Sequence, residues 1–137
     1  MALTRHNDFS GNIENIASVI VDSILEVHKN IGPGYLEKIY EDCLFLELQS
    51  RKLLVERQKP LKMRYKEFDI PTVYYLDIVV ENAIIIELKA VEKLLPVHQA
   101  QIMSYMKMAD IELGFLMNFN TDLMKNGLKR IALKKTS

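Results

Sequence analysis

Two hydrophobic periods divide this chain. Ile13, Ile16, Ala17, Ile20, Ile24 and Val27 recur at helical spacing while Glu14 and Glu26 point outward, which predicts an amphipathic helix from about Ile13 to Lys29. Asn12 is placed to cap it, and Ile31-Gly32-Pro33-Gly34 stops it. A second helix is predicted from about Tyr35 to Arg51, with Leu36, Ile39, Tyr40, Cys43, Leu44 and Glu47 along one side. The period then changes to two. Leu54–Gln58, Leu61–Lys66, Val73–Glu81 and Ala83–Ala90 read as successive strands, with turns near Lys59-Pro60, from Phe68 to Pro71 and at Glu81-Asn82. Leu61, Met63 and Tyr65 alternate with Lys62, Arg64 and Lys66, the pattern of a half-exposed strand, whereas Ile84-Ile85-Ile86 has no polar alternation and predicts a strand covered on both faces. Pro96 opens a third helix that runs to about Ala109. Leu113–Phe119 is a further buried strand, Asn118–Asn126 a loop, and Leu128–Lys134 a short final strand or helical turn. This order predicts one α/β domain, a mixed sheet with helices on its faces.

Composition narrows the class. The 137 residues suit one domain with one core, here residues 12–137 preceded by a loose polar segment, residues 1–11. No apolar run reaches the length of a membrane helix, and the first residues lack the apolar core of a signal peptide. Cys43 is the only cysteine, which excludes an internal disulfide and fits a reducing, cytoplasmic setting. The formal net charge is zero, but it is unevenly spread: Arg51–Glu67 carries a local balance of +5 and Thr121–Ser137 one of +4, leaving −9 for the remainder. Two basic segments around an acidic middle fit a phosphate-contacting rim about a metal-binding centre, but charge alone favours two solvated strand faces and a charged tail.

Chemistry concentrates in Tyr74–Lys89. Glu87 and Lys89 are two apart on a strand and share a face, and a hairpin folded on Glu81-Asn82 brings Asp77 within their reach. Two carboxylates and a lysine in apolar surroundings are costly unless their charge is compensated, and the usual compensation for two carboxylates is a divalent cation such as Mg²⁺. Two other stretches are candidates. Gly34, Glu37 and Tyr40 open the second helix, with Glu37 and Tyr40 on one face; on the third helix His98, Gln101 and Tyr105 share a stripe. Taken singly, each reads as ordinary too: Glu37 as a first-turn acid, Tyr40 as a core aromatic, Gln101 as a solvated residue. No Gly-rich phosphate loop, no Cys/His zinc cluster and no G-x-S-x-G elbow is present. His28, at the end of the first helix, reads as a dipole-favoured or partly buried histidine, and Cys43 as a packing residue.

Taken together, Gly34-x-x-Glu37-x-x-Tyr40, Asp77, Glu87-x-Lys89 and Gln101-x-x-x-Tyr105 resemble the GxxExxY protein family of the PD-(D/E)xK nuclease-like superfamily. The resemblance runs from the first helix to Ile131 and includes Lys29–Gly34 and Leu116-Met117-Asn118-Phe119. It implies a restriction-endonuclease-like core, a mixed central sheet flanked by helices, with a Mg²⁺- or Mn²⁺-dependent phosphodiesterase site. By position, Asp77 and Glu87 match the metal-binding acids, Glu37 the acid that completes the site, and Lys89 the active-site lysine. Gln101 and Tyr105 match the Q-x-x-x-Y motif of RecB-like nucleases. Leu76 stands where the superfamily pattern has proline. The implied partner is nucleic acid, DNA first, with basic residues from Arg57 to Lys66 and Lys129 to Lys135 on its backbone. One site per chain makes a homodimer the simplest way to cut both strands of a duplex. The competing expectation is a non-catalytic module that keeps the fold to bind nucleic acid or a protein.

Overall fold

The computed structural model describes residues 12–134. The loose segment expected over residues 1–11, and Lys135 of the basic tail, lie outside them. Helix α1 spans Ile13–Ile31 and α2 Glu37–Ser50. Strands β1 (Val55–Tyr65), β2 (Phe68–Val80) and β3 (Ile84–Lys89) follow, then α3 (Pro96–Ala109), β4 (Leu113–Asn118), a single turn α4 (Met124–Gly127) and β5 (Leu128–Ala132). The five strands form one sheet in sequence order. Neighbours are antiparallel except β3 and β4, which run parallel across the α3 crossover.

The local chemistry explains most boundaries. Asn12 accepts the Glu14 and Asn15 N–H groups and fixes the start of α1. Gly32, at φ 67°, ends it by donating its N–H to His28 O at 2.8 Å. The turn between β2 and β3 has Glu81 and Asn82 both at positive φ (52° and 51°), as a type I′ hairpin turn requires. At α3, Pro96 occupies the first turn and the Leu95 N–H donates to His98 Nδ1 at 2.9 Å, so His98 serves the cap.

Three expectations are corrected. The turn expected near Lys59-Pro60 is absent, because β1 runs straight through Pro60. A proline is tolerated there since β1 is an edge strand, with a neighbouring strand on one side only. The real turn is Lys66-Glu67, and Phe68–Pro71, expected as a turn, is the start of β2, with Pro71 in an irregularity where Met63 faces Ile70-Pro71-Thr72. In α2 the buried side is Tyr40, Glu41, Leu44 and Leu48; Leu36 precedes the helix and is exposed, as is Ile39, and Cys43 is only partly covered.

Helices α1 and α2 cover one face of the sheet and α3 the other, giving two apolar layers. Ile78, Val80, Ile84, Ile86, Leu88, Phe115 and Met117 face α1 and α2, while Val79, Ile85 and Leu116 face α3 with Ile102 and Met106. The approach of α3 is close: a Cβ at Gly114 would stand 2.9 Å from Met106 Sδ. Tyr40 is fully buried, stacks on Phe119 at 4.5 Å between ring centroids, and donates its hydroxyl to Gly32 O at 2.6 Å. It therefore pins the Gly32–Tyr35 loop and with it the first turn of α2. His28, expected as a dipole-favoured or partly buried histidine, is buried, and its Nε2 lies 2.6 Å from Thr121 O.

Candidate active site

The alternation of β2 slips at Asp77. Leu76 belongs to the layer under α3, yet Ile78, two residues on, belongs to the layer under α1 and α2. On β1 the same exchange separates Val55 from Leu61, and between them Gln58, opposite Asp77 in register, holds a left-handed φ of 51°. At this point the two inner strands also part: pairing of β2 with β3 ends at Ile78↔Ile86. The Leu88 N–H is instead taken by Asp77 Oδ2 at 2.9 Å. A carboxylate thus replaces a carbonyl at the mouth of the opening strands, and Glu87 and Lys89 project into the notch.

The electrostatics of this notch are unbalanced. Glu87 is 5% exposed and its Oε1 has no hydrogen-bond partner. The nearest cation, Lys89 Nζ, lies 3.9 Å from Glu87 Oε2, too far for a hydrogen bond. Burial first, and the neighbouring Asp77 second, push the Glu87 carboxyl up to about 8. Burial also raises Asp77, against the pull of the Leu88 N–H. Glu37 is raised by desolvation and then by the charge of Asp77, while the Ala90 N–H and Lys89 act in the opposite sense. Tyr105 is raised by burial and then by Glu87. Glu37, Glu87 and Tyr105, from α2, β3 and α3, therefore each feel the charge of Asp77 on β2.

The residues singled out in the sequence divide accordingly. Asp77, Glu87 and Lys89 are brought together, Glu37 faces them from the first turn of α2, and Tyr105 closes the α3 side with its ring 5.2 Å from that of Tyr74. Gln101 is exposed on the same stripe of α3, one turn before Tyr105. Two members went unnoticed. Glu41, one turn after Glu37, is 5% exposed and receives Gln58 Nε2 at 2.6 Å, Lys38 at 3.2 Å and Arg57 at 3.5 Å. Gln58 also reaches Asp77 Oδ1 at 3.4 Å, so it bridges the helix acid to the strand acid. The only signal was spacing, and for Glu41 alone, which falls at i+4 from Glu37.

Among the described residues, no group of three or more His, Cys, Asp or Glu side chains is arranged to hold a metal ion. The pair Asp77 and Glu87 nevertheless fits a hard divalent cation. It offers oxygen donors only, one of them a buried carboxylate oxygen without a partner, and Mg²⁺ commonly takes one or two carboxylates and completes its shell with water and phosphate. The notch lies outside a cleft of about 510 Å³ lined by Leu95, Gln99, Met103 and Lys129.

A family model described as the PD-(D/E)XK nuclease superfamily matches residues 14–131. No curated protein and no solved structure matches the chain.

Proposed function

From the premise that this chain belongs to the PD-(D/E)XK nuclease superfamily, with the restriction-endonuclease-like α/β fold that goes with it, we propose that it is a divalent-metal-dependent nuclease acting on DNA. The motif Gly34, Glu37, Tyr40 supports membership of the GxxExxY group within this reading. The observation that carries the proposal is the buried Asp77–Glu87 pair, whose combined charge Lys89 alone does not balance and whose Glu87 Oε1 is unpartnered. Neighbouring desolvated like charges need an external cation, or else they hold a proton.

Asp77 and Glu87 would hold the cation, Mg²⁺ or Mn²⁺, which would supply polarisation of the phosphodiester and an offset for charge developing on phosphorus. Glu37 adds negative charge from the α2 side. Lys89 orients the attacking water and, as a cation, stabilises the phosphorane-like charge. The Tyr105 hydroxyl and the Gln101 amide contact the scissile phosphate from α3. The Glu41–Gln58 bridge holds the Asp77 carboxylate in place. Cutting both strands of a duplex then calls for two copies of the chain.

The test is calorimetric titration of Mg²⁺ or Mn²⁺ into the wild type, Asp77→Ala and Glu87→Ala, followed by assays on plasmid, linear and single-stranded DNA. Metal-dependent cleavage that both substitutions abolish supports the reading. Absence of cleavage by the wild type at millimolar metal sinks it in favour of a non-catalytic binding module.

A further inference from the structure

Strands β1 and β2 continue well past the sheet. β3 leaves β2 at Ile78, but β1 stays paired with β2 out to Tyr65↔Phe68, so a two-stranded ribbon extends from the site. Its surface is unusual for an exposed hairpin. Tyr65 and Phe68 are each 60% exposed, with Tyr74, Tyr75 and Met63 also open to solvent. One face is continuous with the site. Leu61 packs in the α3 layer and pairs with Tyr74, whose ring meets Tyr105. Met63 and Tyr65 follow on the same face by strand alternation, and Phe68 is the partner of Tyr65. The strip from Leu61 to Tyr65 covers about 13 Å.

The opposite face carries Lys62 and Arg64, and Lys66 lies over the Tyr65 ring, its Nζ 5.4 Å from the centroid. Glu67 and Asp69 sit at the tip, where Arg64 meets Asp69 at 3.5 Å and the Glu67 carbonyl at 2.7 Å. Lys62, Arg64 and Lys66 outnumber these two acids in the ribbon, leaving it positive. Exposed aromatic rings in a row, flanked by cations, match what bases and phosphates of an unpaired strand need: a sequence-tolerant stacking surface with backbone neutralisation beside it. A rigid duplex hides its base faces and can use only the cations.

We infer that the β1–β2 ribbon is a docking arm for single-stranded nucleic acid: Tyr65 and Phe68 stack bases at its tip, and Lys62 and Lys66 meet the phosphates of a strand whose scissile bond lies at Asp77 and Glu87. This rests on the nuclease reading and specifies its substrate as one with an unpaired segment.

The experiment measures binding of a fluorescent oligothymidylate of roughly 20 nucleotides, and of a duplex of the same length, by anisotropy. It compares the wild-type chain, held in EDTA to prevent cleavage, with the double variant Tyr65→Ala/Phe68→Ala. Loss of two stacking rings is expected to weaken oligothymidylate binding about tenfold or more and duplex binding little. The ring-retaining pair Tyr65→Phe/Phe68→Tyr is expected to bind as the wild type. Unchanged oligothymidylate binding by the alanine variant overturns the inference, as does an equal loss on duplex. So does a wild-type dimer, seen by sedimentation, that the alanine pair dissolves while strand binding stays constant. Metal-dependent hydrolysis of bis(p-nitrophenyl) phosphate, too small to reach the ribbon, is followed in parallel. Hydrolysis with ribbon-independent binding removes the arm and leaves the nuclease; ring-dependent binding without hydrolysis removes the nuclease and leaves the arm.

Discussion

The β2–β3 pair has two ends of opposite character. At the turn end, Ile78, Val79, Val80, Ile84, Ile85 and Ile86 are almost wholly buried and laddered in register. One residue further on each strand, Asp77 and Glu87 sit where the pairing stops. The turn end is set by apolar area and backbone hydrogen bonds, which favour folding on their own. The open end is buried because the other is, and its carboxylates lose hydration without gaining enough partners. The difference teaches that the site's unfavourable electrostatics are imposed by the neighbouring core, so stability and chemistry can be separated by substitutions only one residue apart.

The sharpest separation comes from the acids. Asp77→Ala or Glu87→Ala should cut metal-dependent hydrolysis by roughly a thousandfold or more, read in single-turnover assays. Thermal unfolding of the metal-free protein should show Glu87→Ala no less stable than wild type, because a desolvated acid has been removed. Ile86→Ala should do the reverse: a loss of about 2–5 kcal/mol in chemical denaturation, with metal affinity of the folded fraction unchanged.

Proton linkage gives a third contrast. With Glu87 raised from 4.5 to about 8, the folded state binds more protons than the unfolded state across that window. Stability of the metal-free protein should therefore fall as pH rises from 4.5 to about 8, with a slope of up to roughly 1.4 kcal/mol per pH unit from this group. Asp77 and Glu37, also raised, act in the same direction. Glu87→Gln should flatten the profile, and saturating Mg²⁺, which needs the carboxylate form, should oppose the fall. The smallest effect is expected from Gln58→Gly. It relieves the left-handed φ while breaking the bridge from Glu41 to Asp77, so stability should stay within about 1 kcal/mol while hydrolysis drops about tenfold.

What the sequence made legible follows from how local each signal was. Asn12, Gly32, Pro96 and the Glu81-Asn82 turn act on their immediate neighbours, and the element boundaries they mark are found close to where expected. Asp77, Glu87 and Lys89 stood out because charges inside an Ile/Val run are rare. Pro60 misled because the same residue that breaks an inner strand is harmless on an edge, and edge position depends on the whole sheet. Glu41 was invisible for a similar reason. Beside Lys38 it has the look of a surface ion pair, and only the passage of Arg57 and Gln58 over α2 buries it. The face slip at Gln58 and Asp77 leaves no mark in the hydrophobic pattern, since each half of the strand alternates correctly by itself.

Pro60 has a consequence of a different kind. A long outer strand ending in exposed Tyr65, beside exposed Phe68 of β2, is a template on which further chains could add by backbone pairing, the route to insoluble aggregates. A proline in an edge strand is a device against such pairing, and Lys62, Arg64 and Lys66 repel a second copy laid beside it. The residue that hid the strand from a reading of the sequence thus keeps a sticky, protruding arm compatible with a concentrated solution of its own kind.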